Sequence, residues 1–291
     1  SVVINTNLDS IRIQNILTSS TNKLSDSMSR LSSGLKILSS KDDAAGSVIS
    51  ARMKVQLEGN KICQNNVQNA NSLLATAEGN LDVVLENISR IRDLTLQAKN
   101  STYSDEELDA MQDEIDERIA EIDRVSKSAK FSQLQLFGAK KGEVADGLAK
   151  DGAKFQVGAN SDTQNIIEVD NGLFKAVTFS ALTNVGKTGT KSNFNLKKMK
   201  GKTAGNVTIN SETKVLDLSV AIDVLDNAID DLTDRKSQIG SVENRLESAL
   251  STLTTQYTNL SSAKSIITDA DIATEASGIY INGNISDVND I

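Results

Sequence analysis

The chain has 291 residues and carries 31 Lys and Arg against 39 Asp and Glu, a formal net charge of −8 at pH 7. This acidic balance argues against general nucleic-acid binding, which needs a basic surface to meet phosphate. The sequence has no His and a single cysteine, Cys63. It therefore excludes His-based metal sites, Ser-His-Asp triads and an internal disulfide. We predict a protein that is not an enzyme and uses no cofactor.

Export and membrane signals give a second set of expectations. No stretch approaches the roughly 20 apolar residues that a membrane-spanning helix needs. Residues 1–7 lack the basic and continuous apolar regions of a cleavable signal peptide. If the protein leaves the cell, we expect a route that cleaves no such peptide. Aromatic residues make up only 3% of the chain and there is no Pro, which favours an aliphatic core of long packed helices.

The first 40 residues combine an apolar stripe with many Ser, Thr and Asn residues. The stripe recurs at three- and four-residue steps, as on one face of a helix. We expect this segment to be disordered alone and to become helical when the stripe finds a partner; the simpler alternative is a frayed terminal helix. The terminal stripe consists of Ile4, Leu8, Ile11, Leu24, Met28, Leu31 and Leu35.

A long helix is predicted to begin after residues 39–43, where acidic side chains meet the positive end of the helix dipole. We expect it to run to Lys99 with one continuous apolar stripe: Val48, Val55, Ile62, Val67, Leu74, Leu81, Leu85, Ile88, Ile91 and Leu94. Ser104 and Glu107 have the spacing of a capping box. They introduce a third helix with a clear heptad pattern: Leu108, Met111, Ile115, Ile119 (or Arg118), Ile122 and Val125.

The middle of the chain is Gly-rich and less regular. Alternating segments at 154–157 and 166–169 flank a short polar loop and predict a β-hairpin. Between Asp170 and Glu212 there are seven Lys and no acidic residue, which favours a solvated face over an adhesive patch for anionic surfaces. Apolar positions at helical spacing return over 225–267. The predicted fold is mainly α, an elongated antiparallel helical bundle, coiled-coil-like, with a small middle region that contains the β-hairpin.

Several motifs resemble those of bacterial flagellins, in the order in which that family carries them. The segment from Arg30 reads R-L-S-S-G-L-K-I, and the one from Lys41 reads K-D-D-A-A-G. Ser89 begins S-R-I-R-D-L, Glu121 begins E-I-D-R-V, and Gln156 begins Q-V-G-A-N. Near the other end, the chain reads Q-I-G-S-V-E-N-R-L over 238–246 and D-A-D-I-A-T-E over 269–275.

The resemblance implies a structural subunit of the flagellar filament. Such a subunit is exported unfolded, assembles with copies of itself through its terminal helices outside the cell, and serves swimming motility. The implied partners are copies of itself, hook-associated junction and cap proteins, the flagellar export apparatus, an export chaperone and the host Toll-like receptor for flagellin. Neither nucleic acid nor membrane insertion is implied.

Receptor recognition is implied at positions that match the family in register, Arg90, Leu94, Gln97 and Glu114. Arg90 offers a bidentate fork and Glu114 an acceptor around the apolar Leu94. The residues alone favour another interpretation: Arg90 and Arg92 are ion-pair partners on the bundle surface, and Leu94 belongs to the apolar stripe.

The chain departs from the family after residue 275. Flagellins continue with a further terminal helix, whereas here Gly278 and Gly283 bracket a short apolar run. We therefore expect the terminal stripe to lack its intramolecular partner and the chaperone contact to be altered. The alternatives are a truncated flagellin-like secreted protein that forms no normal filament, and a hook–filament junction protein. A helical chaperone or secreted effector is a further one.

Five regions are expected along the chain. These are an N-terminal polymerisation helix (1–40), the N-terminal part of a helical rod with the β-hairpin (41–175), a short variable outward-facing segment (176–212), the C-terminal part of the rod (213–276) and a divergent tail without the usual terminal helix (277–291).

Overall fold

The computed structural model describes residues 8–138, 148–183, 194–201, 206–209 and 212–289. Its helices are α1 (Leu8–Ser33), α2 (Ala44–Ala98), α3 (Asp105–Ser128), α4 (Leu148–Asp151), α5 (Phe179–Thr183), α6 (Leu196–Lys200), α7 (Leu218–Thr268) and α8 (Ile272–Asn289). Its strands are β1 (Lys130–Phe131), β2 (Leu134–Gln135), β3 (Ala153–Gln156), β4 (Ile166–Val169), β5 (Asn206–Ile209) and β6 (Glu212–Val215). The prediction of a mainly α fold is confirmed. Ile4 of the terminal stripe lies outside the described residues.

The strands form three antiparallel pairs, β1–β2, β3–β4 and β5–β6. The β3–β4 pair is the hairpin that the sequence predicted, with Ala153 opposite Val169 and Gln156 opposite Ile166. The β1–β2 pair was not predicted. Its two-residue turn places Ser132 at a φ of 56°, a left-handed conformation that Gly adopts more readily than Ser.

The chain forms two compact units. The first comprises Ser1–Ile62 and Thr252–Ile291, and the second comprises Cys63–Ser251. Almost all of the described hydrophobic core belongs to the second unit; among buried hydrophobic residues only Leu253 lies in the first.

In the second unit, α2 and α7 pack with a seven-residue period. Val67, Leu74, Leu81 and Ile88 of α2 are all fully buried. On α7, buried residues recur at the same interval, at Leu225, Leu232, Ile239 and Leu246. Charged pairs also join the two helices: Arg92 contacts Asp226, and Lys236 contacts Asp82. These two rows of buried side chains, one on α2 and one on α7, form what we call the seam. The seam is aliphatic, as the scarcity of aromatic residues predicted.

The prediction that one apolar stripe runs the whole length of α2 is wrong. In the first unit, Val48, Val55 and Ile62 are 54%, 69% and 60% exposed. The seam instead continues backward from Val67 at seven-residue steps, through the buried Asn60, the half-buried Met53 and the buried Gly46. The step from Ile62 to Val67 is five residues, which turns a helix about 140° beyond one full turn. The three exposed side chains therefore lie on the side of α2 opposite its packed seam.

The start of α3 follows the prediction. Ser104 Oγ accepts a hydrogen bond from the Glu107 amide at 3.3 Å, and Glu107 Oε2 accepts one from the Ser104 amide at 2.7 Å. This reciprocal capping satisfies two amides that the first helical turn would leave without partners. Five of the predicted heptad positions are buried: Leu108, Ile115, Ile119, Ile122 and Val125.

The described part of 176–212, expected as a short variable outward-facing segment, includes a small packed module. Phe194, Leu196 and Met199 are at most 2% exposed. Gln112 of α3 holds this module through two hydrogen bonds: it accepts from the Leu196 amide at 2.9 Å and donates to the Phe194 carbonyl at 2.9 Å. Lys197, one of the predicted solvated lysines, pairs with Asp109 at 2.6 Å.

The tail also differs from expectation, because residues 272–289 form the helix α8. A Gly inside a helix costs only about 1 kcal/mol relative to Ala, and packing against α1 offsets this. A Cβ at Gly278 would lie 3.3 Å from Ser27 Oγ of α1, so the missing side chain allows close approach. The expectation of a tail without helix, and of α1 without an intramolecular partner, is therefore wrong for the described residues.

The two segments that connect the helices of the first unit lie side by side and are hydrogen-bonded to each other. Residues 34–43 join α1 to α2, and residues 269–271 join α7 to α8. The Lys36 amide donates to the Thr268 carbonyl at 2.7 Å, and the Ala270 amide donates to the Gly34 carbonyl at 3.0 Å. Gly34 has a φ of +71°, a conformation that suits glycine at the end of a helix.

Candidate functional site

The pairing of α1 with α8 gives the first candidate site. Ser20, which is only 5% exposed, donates its hydroxyl to the Asn282 carbonyl at 3.2 Å. Arg30 Nη1 lies 3.4 Å from Glu275 Oε1. The interface is thus formed largely by small and polar side chains, so larger apolar side chains of both helices remain on the outside.

The described members of the terminal stripe are mostly exposed. Leu24 is half-buried, and Leu35 lies beyond the end of α1, where it bridges to Asp269. The exposed fractions of the other members are 69% for Leu8, 47% for Ile11, 56% for Met28 and 38% for Leu31. The stripe members from Leu8 to Leu31 lie on the helix α1. The structure places most of the stripe on the surface and not against α8.

The first unit carries most of the exposed apolar surface. All of the large exposed hydrophobic side chains among the described residues belong to it, except Val83, Leu96 and Leu134. On α8 they include Tyr280 and Ile281, which are 73% and 56% exposed. Such a concentration on one compact unit marks an interaction surface, whereas single scattered apolar residues would be ordinary.

The second candidate site surrounds Arg90. Its Nε and Nη2 donate to Glu114 Oε1 and Oε2 at 2.8 and 3.1 Å, a bidentate pair between α2 and α3. Arg118 donates to the same carboxylate at 3.1 Å and to Asn87 Oδ1 at 3.2 Å. The hydrogen bond and charge of Arg90 lower the pKa of Glu114, and those of Glu114 raise the pKa of Arg90. The charged network is therefore fixed in place within the second unit.

The four predicted recognition residues differ in their exposure to solvent. Gln97 is exposed, and the Arg90 and Glu114 side chains are 41% and 35% exposed. Leu94, however, is 3% exposed and belongs to the core. The expectation that Leu94 forms an apolar surface contact is therefore wrong for this conformation. Its position in the apolar pattern of α2 already favoured the buried interpretation.

Neither candidate site has the features of a metal or membrane site. Among the described residues, no group of three or more Cys, Asp and Glu side chains is arranged to hold a metal ion. Within the same residues, no helix combines the length and apolar character needed to cross a membrane.

Sequence reasoning missed one surface altogether. Val48, Val55 and Ile62 form a line on the exposed side of α2, which we call the α2 ridge. The signal was present in the sequence, because the five-residue step from Ile62 to Val67 breaks the regular alternation of three and four.

Comparison with known proteins identifies the family. Residues 4–141 match the bacterial flagellin N-terminal helical region, and residues 222–284 match the bacterial flagellin C-terminal helical region. The chain is 31% identical to a flagellin of Bacillus subtilis (strain 168) over 287 residues, which cover 97% of this chain and 92% of that protein. It is 30% identical to a flagellar filament 30.7 kDa core protein of Treponema maltophilum, over 94% of this chain and 88% of that one.

A structural comparison supports the fold. A solved structure from Vibrio parahaemolyticus, described as a flagellar hook-associated protein, is similar with a TM-score of 0.56, over 78% of this chain and 99% of that one. At 14% sequence identity this likeness concerns the fold alone. The two helical-region matches and the two near full-length relatives carry the assignment. Flagellins are structural proteins and not enzymes, and this chain belongs to the flagellin family.

Proposed function

We propose that the chain is a structural subunit of an extracellular flagellar filament, and that its first unit assembles with other copies. The observation that carries this proposal is the contrast between the two units. The second unit buries its apolar residues, whereas the first exposes Leu8, Val55, Ile266 and Tyr280 by more than two thirds each. Burying apolar surface contributes roughly 25 cal/mol per Å², so association through the first unit is favoured.

The relatives support the same role. The Bacillus subtilis relative is a flagellin, and the Treponema maltophilum relative is a filament core protein. A filament of this kind grows by contacts between unlike surfaces that do not close on themselves. We extend the proposal to what the family resemblance implies: export unfolded through the flagellar apparatus, a role in swimming motility, and contacts with hook-associated junction and cap proteins and an export chaperone.

Assembly of the purified protein tests the proposal. Concentrated protein is incubated under conditions that favour assembly, sedimented, and viewed by negative-stain electron microscopy. We expect long filaments. The variant Ile11→Glu places a charge on the exposed side of α1 and should raise the critical concentration for assembly. Val83→Glu, on a 38% exposed residue of the second unit, is the matched control and should assemble normally.

The outcomes separate the competing functions. A protein that stays monomeric under all conditions would support the truncated flagellin-like alternative and contradict our proposal. Short oligomers that form only on the ends of flagellin or hook filaments would support a junction protein. Capture of unfolded client proteins without self-assembly would support a helical chaperone.

We further propose that the surface around Arg90 is recognised by the Toll-like receptor for flagellin. The network of Arg90, Glu114 and Arg118 supports this because it holds a half-exposed charged pair in one geometry before binding, which lowers the entropic cost of recognition. Gln97 adds an exposed polar group one helical turn beyond Leu94. In this proposal Leu94 acts from the core by supporting α2.

Receptor binding by surface variants tests this second proposal. Arg90→Ala should weaken binding to the receptor ectodomain by at least about tenfold, as expected when an arginine that anchors an interface is truncated. Arg124→Ala removes a similar exposed ion pair with Glu121 on α3 and serves as the control. Equal binding by both variants would refute the role of Arg90.

A further inference from the structure

Asn87 is a buried polar side chain of α2, and both ends of its amide are hydrogen-bonded. It is 8% exposed. Its Nδ2 donates to the Val83 carbonyl at 2.8 Å, and its Oδ1 accepts from Arg118 Nη1 of α3 at 3.2 Å. A guanidinium can only donate hydrogen bonds and a carbonyl can only accept them. A single orientation of the amide therefore satisfies both partners, and the side chain is fixed in it.

Arg118 connects this fixed amide to the Arg90 surface. Arg118 Nε donates to Glu114 Oε1 at 3.1 Å, and Arg90 Nε donates to the same oxygen at 2.8 Å. The three charged side chains are 32%, 35% and 41% exposed, and exposed ion pairs alone hold long side chains weakly. Among the described residues, the other acceptor that Arg118 contacts is Asn87 Oδ1. Asn87 is thus the buried end of a network whose charged members reach the solvent.

Asn80 lies seven residues earlier on α2 and provides a comparison within the same helix. Its Nδ2 donates to the Thr76 carbonyl at 2.7 Å, the same bond to the fourth residue back that Asn87 makes to Val83. Within the described part of the chain, no side chain donates to Asn80 Oδ1. The bond to the helix backbone is therefore common to the two asparagines, whereas the contact with an arginine of α3 distinguishes Asn87.

We propose that Asn87 is a positioning residue for the Arg90 surface. Through Arg118 and Glu114 it fixes the direction in which Arg90 presents its guanidinium. This inference rests on the proposed receptor recognition and adds to it a residue that is itself buried. Arg90 uses two N–H donors on Glu114 and keeps its other donors for a partner. Hydrogen bonds from a planar guanidinium depend on direction as well as charge, so a loosened network lowers affinity although every contact residue is still present.

Receptor binding by matched variants tests the role of Asn87. Asn87→Leu keeps nearly the same side-chain shape but removes Oδ1, and we expect it to weaken binding to the receptor ectodomain by at least about threefold. Asn80→Leu makes the same replacement at the comparison position and should bind like the unsubstituted chain. In an Arg118→Gln background, Asn87→Leu should cause no further loss, because Asn87 acts through Arg118. Equal losses in the two Leu variants, or full additivity with Arg118→Gln, would overturn the proposal.

The mobility of Arg90 can be measured without a receptor. In ¹⁵N-labelled monomer, exchange of the Arg90 Nε–H proton with water reports how often its hydrogen bond to the carboxylate opens; the Arg90→Lys variant assigns the signal. Asn87→Leu should speed this exchange by at least about threefold, whereas Asn80→Leu should leave it unchanged. The Nε–H of Arg124, which is bonded to a glutamate on the same helix, is the internal reference. Unchanged exchange at Arg90 in Asn87→Leu would overturn the proposal.

The same experiments separate failure of this inference from failure of the proposed recognition. If Arg90→Ala loses receptor binding and Asn87→Leu does not, recognition stands and the role of Asn87 is wrong. If Arg90→Ala binds like the unsubstituted chain, recognition is wrong and the exchange measurement alone decides the role of Asn87. Circular dichroism checks that each variant is folded. If Asn87→Leu loses helix content, Arg118→Gln decides: it should speed exchange at Arg90, and unchanged exchange would overturn the proposal.

Discussion

Arg30 of α1 and Glu275 of α8 form an ion pair, with Nη1 3.4 Å from Oε1, and the Glu275 side chain is only 13% exposed. The pair closes the end of the α1–α8 interface nearest the connections at 34–43 and 269–271. It therefore joins two helices through residues that are 245 positions apart in the chain.

We expect Glu275→Gln to loosen α8 from α1. Removal of one partner leaves Arg30 without its counter-charge, which should reduce the stability of the pairing by about 1 kcal/mol. Hydrogen–deuterium exchange of α8 in the monomer measures this. Glu58→Gln, in a pair with Lys54 whose side chains are both about two-thirds exposed, should leave exchange unchanged. Equal exchange in α8 of the Glu275→Gln variant and the unsubstituted chain would contradict the assigned role of the pair.

Leu74→Ala should destabilise the monomer and Val55→Ala should not, although both residues belong to the same apolar pattern in the sequence. Leu74 has no exposed surface, and its truncation should lower the free energy of unfolding by about 2–5 kcal/mol. Val55 lies on the α2 ridge, so its truncation should change that free energy by less than about 0.5 kcal/mol. Urea denaturation of dilute monomer provides the measurement. Similar losses in both variants would show that the ridge is covered in the monomer.

Glu243 of α7 should destabilise the second unit at neutral pH. Burial and the nearby Glu78 carboxylate raise its pKa. An acid with a raised pKa in the folded state disfavours folding when it is ionised, and this penalty decreases as the pH falls through that pKa toward the unfolded value. We therefore expect Glu243→Gln to raise the midpoint of thermal unfolding at pH 7 and to have little effect below about pH 4. Glu247→Gln, at an exposed position of the same helix, is the control.

Asp271 should have the opposite pH dependence. Hydrogen bonds from the Thr274 hydroxyl and from the Ala273 and Thr274 amides at the start of α8 lower its pKa. Its contribution to stability is therefore complete above the unfolded pKa of about 3.9 and is lost as the pH falls through the folded value. Asp271→Asn should be less stable than the unsubstituted chain at pH 6, and the difference should shrink as the pH falls below about 3.9. A difference that stays constant as the pH falls far below about 3.9 would show that the charge does not contribute.

Ser132→Gly should stabilise the β1–β2 turn. Ser132 has a φ of 56°, and Gly adopts this region without the steric cost that a Cβ brings. We expect a gain of up to about 1 kcal/mol in the free energy of unfolding. Gln133→Gly in the same turn should give no gain, because Gln133 has no positive φ. A loss of stability in Ser132→Gly would contradict the strain argument.

The parts of the fold that follow from local pattern could be predicted from the sequence. The capping box at Ser104 and the β3–β4 hairpin depend on residues that lie close together in the chain. The helix α8 could not be predicted in this way, because Gly278 and Gly283 weaken its local signal. The contacts that support it come from α1, some 250 residues earlier.

In the candidate sites, too, some features could be predicted from the sequence and others could not. The residues alone favoured Arg90 as an ion-pair partner on the bundle surface, and its bidentate pair with Glu114 is present. The burial of Leu94 follows from the apolar period of α2 and was the expectation from residues alone. The α2 ridge was missed because Val48, Val55 and Ile62 keep a perfect seven-residue repeat among themselves. Only their offset from Val67 shows that they belong to another face.

The seven-residue seam of α2 also limits how such a chain can change in length. Insertion of a single residue after Leu74 would rotate every later side chain by about 100°, which would bring polar residues into the seam in place of Leu81 and Ile88. Insertion of a whole heptad would preserve the packing, provided that α7 gained the same number of residues opposite it. Variation in length is therefore confined to matched heptads in the two helices, or to connections such as the β3–β4 loop.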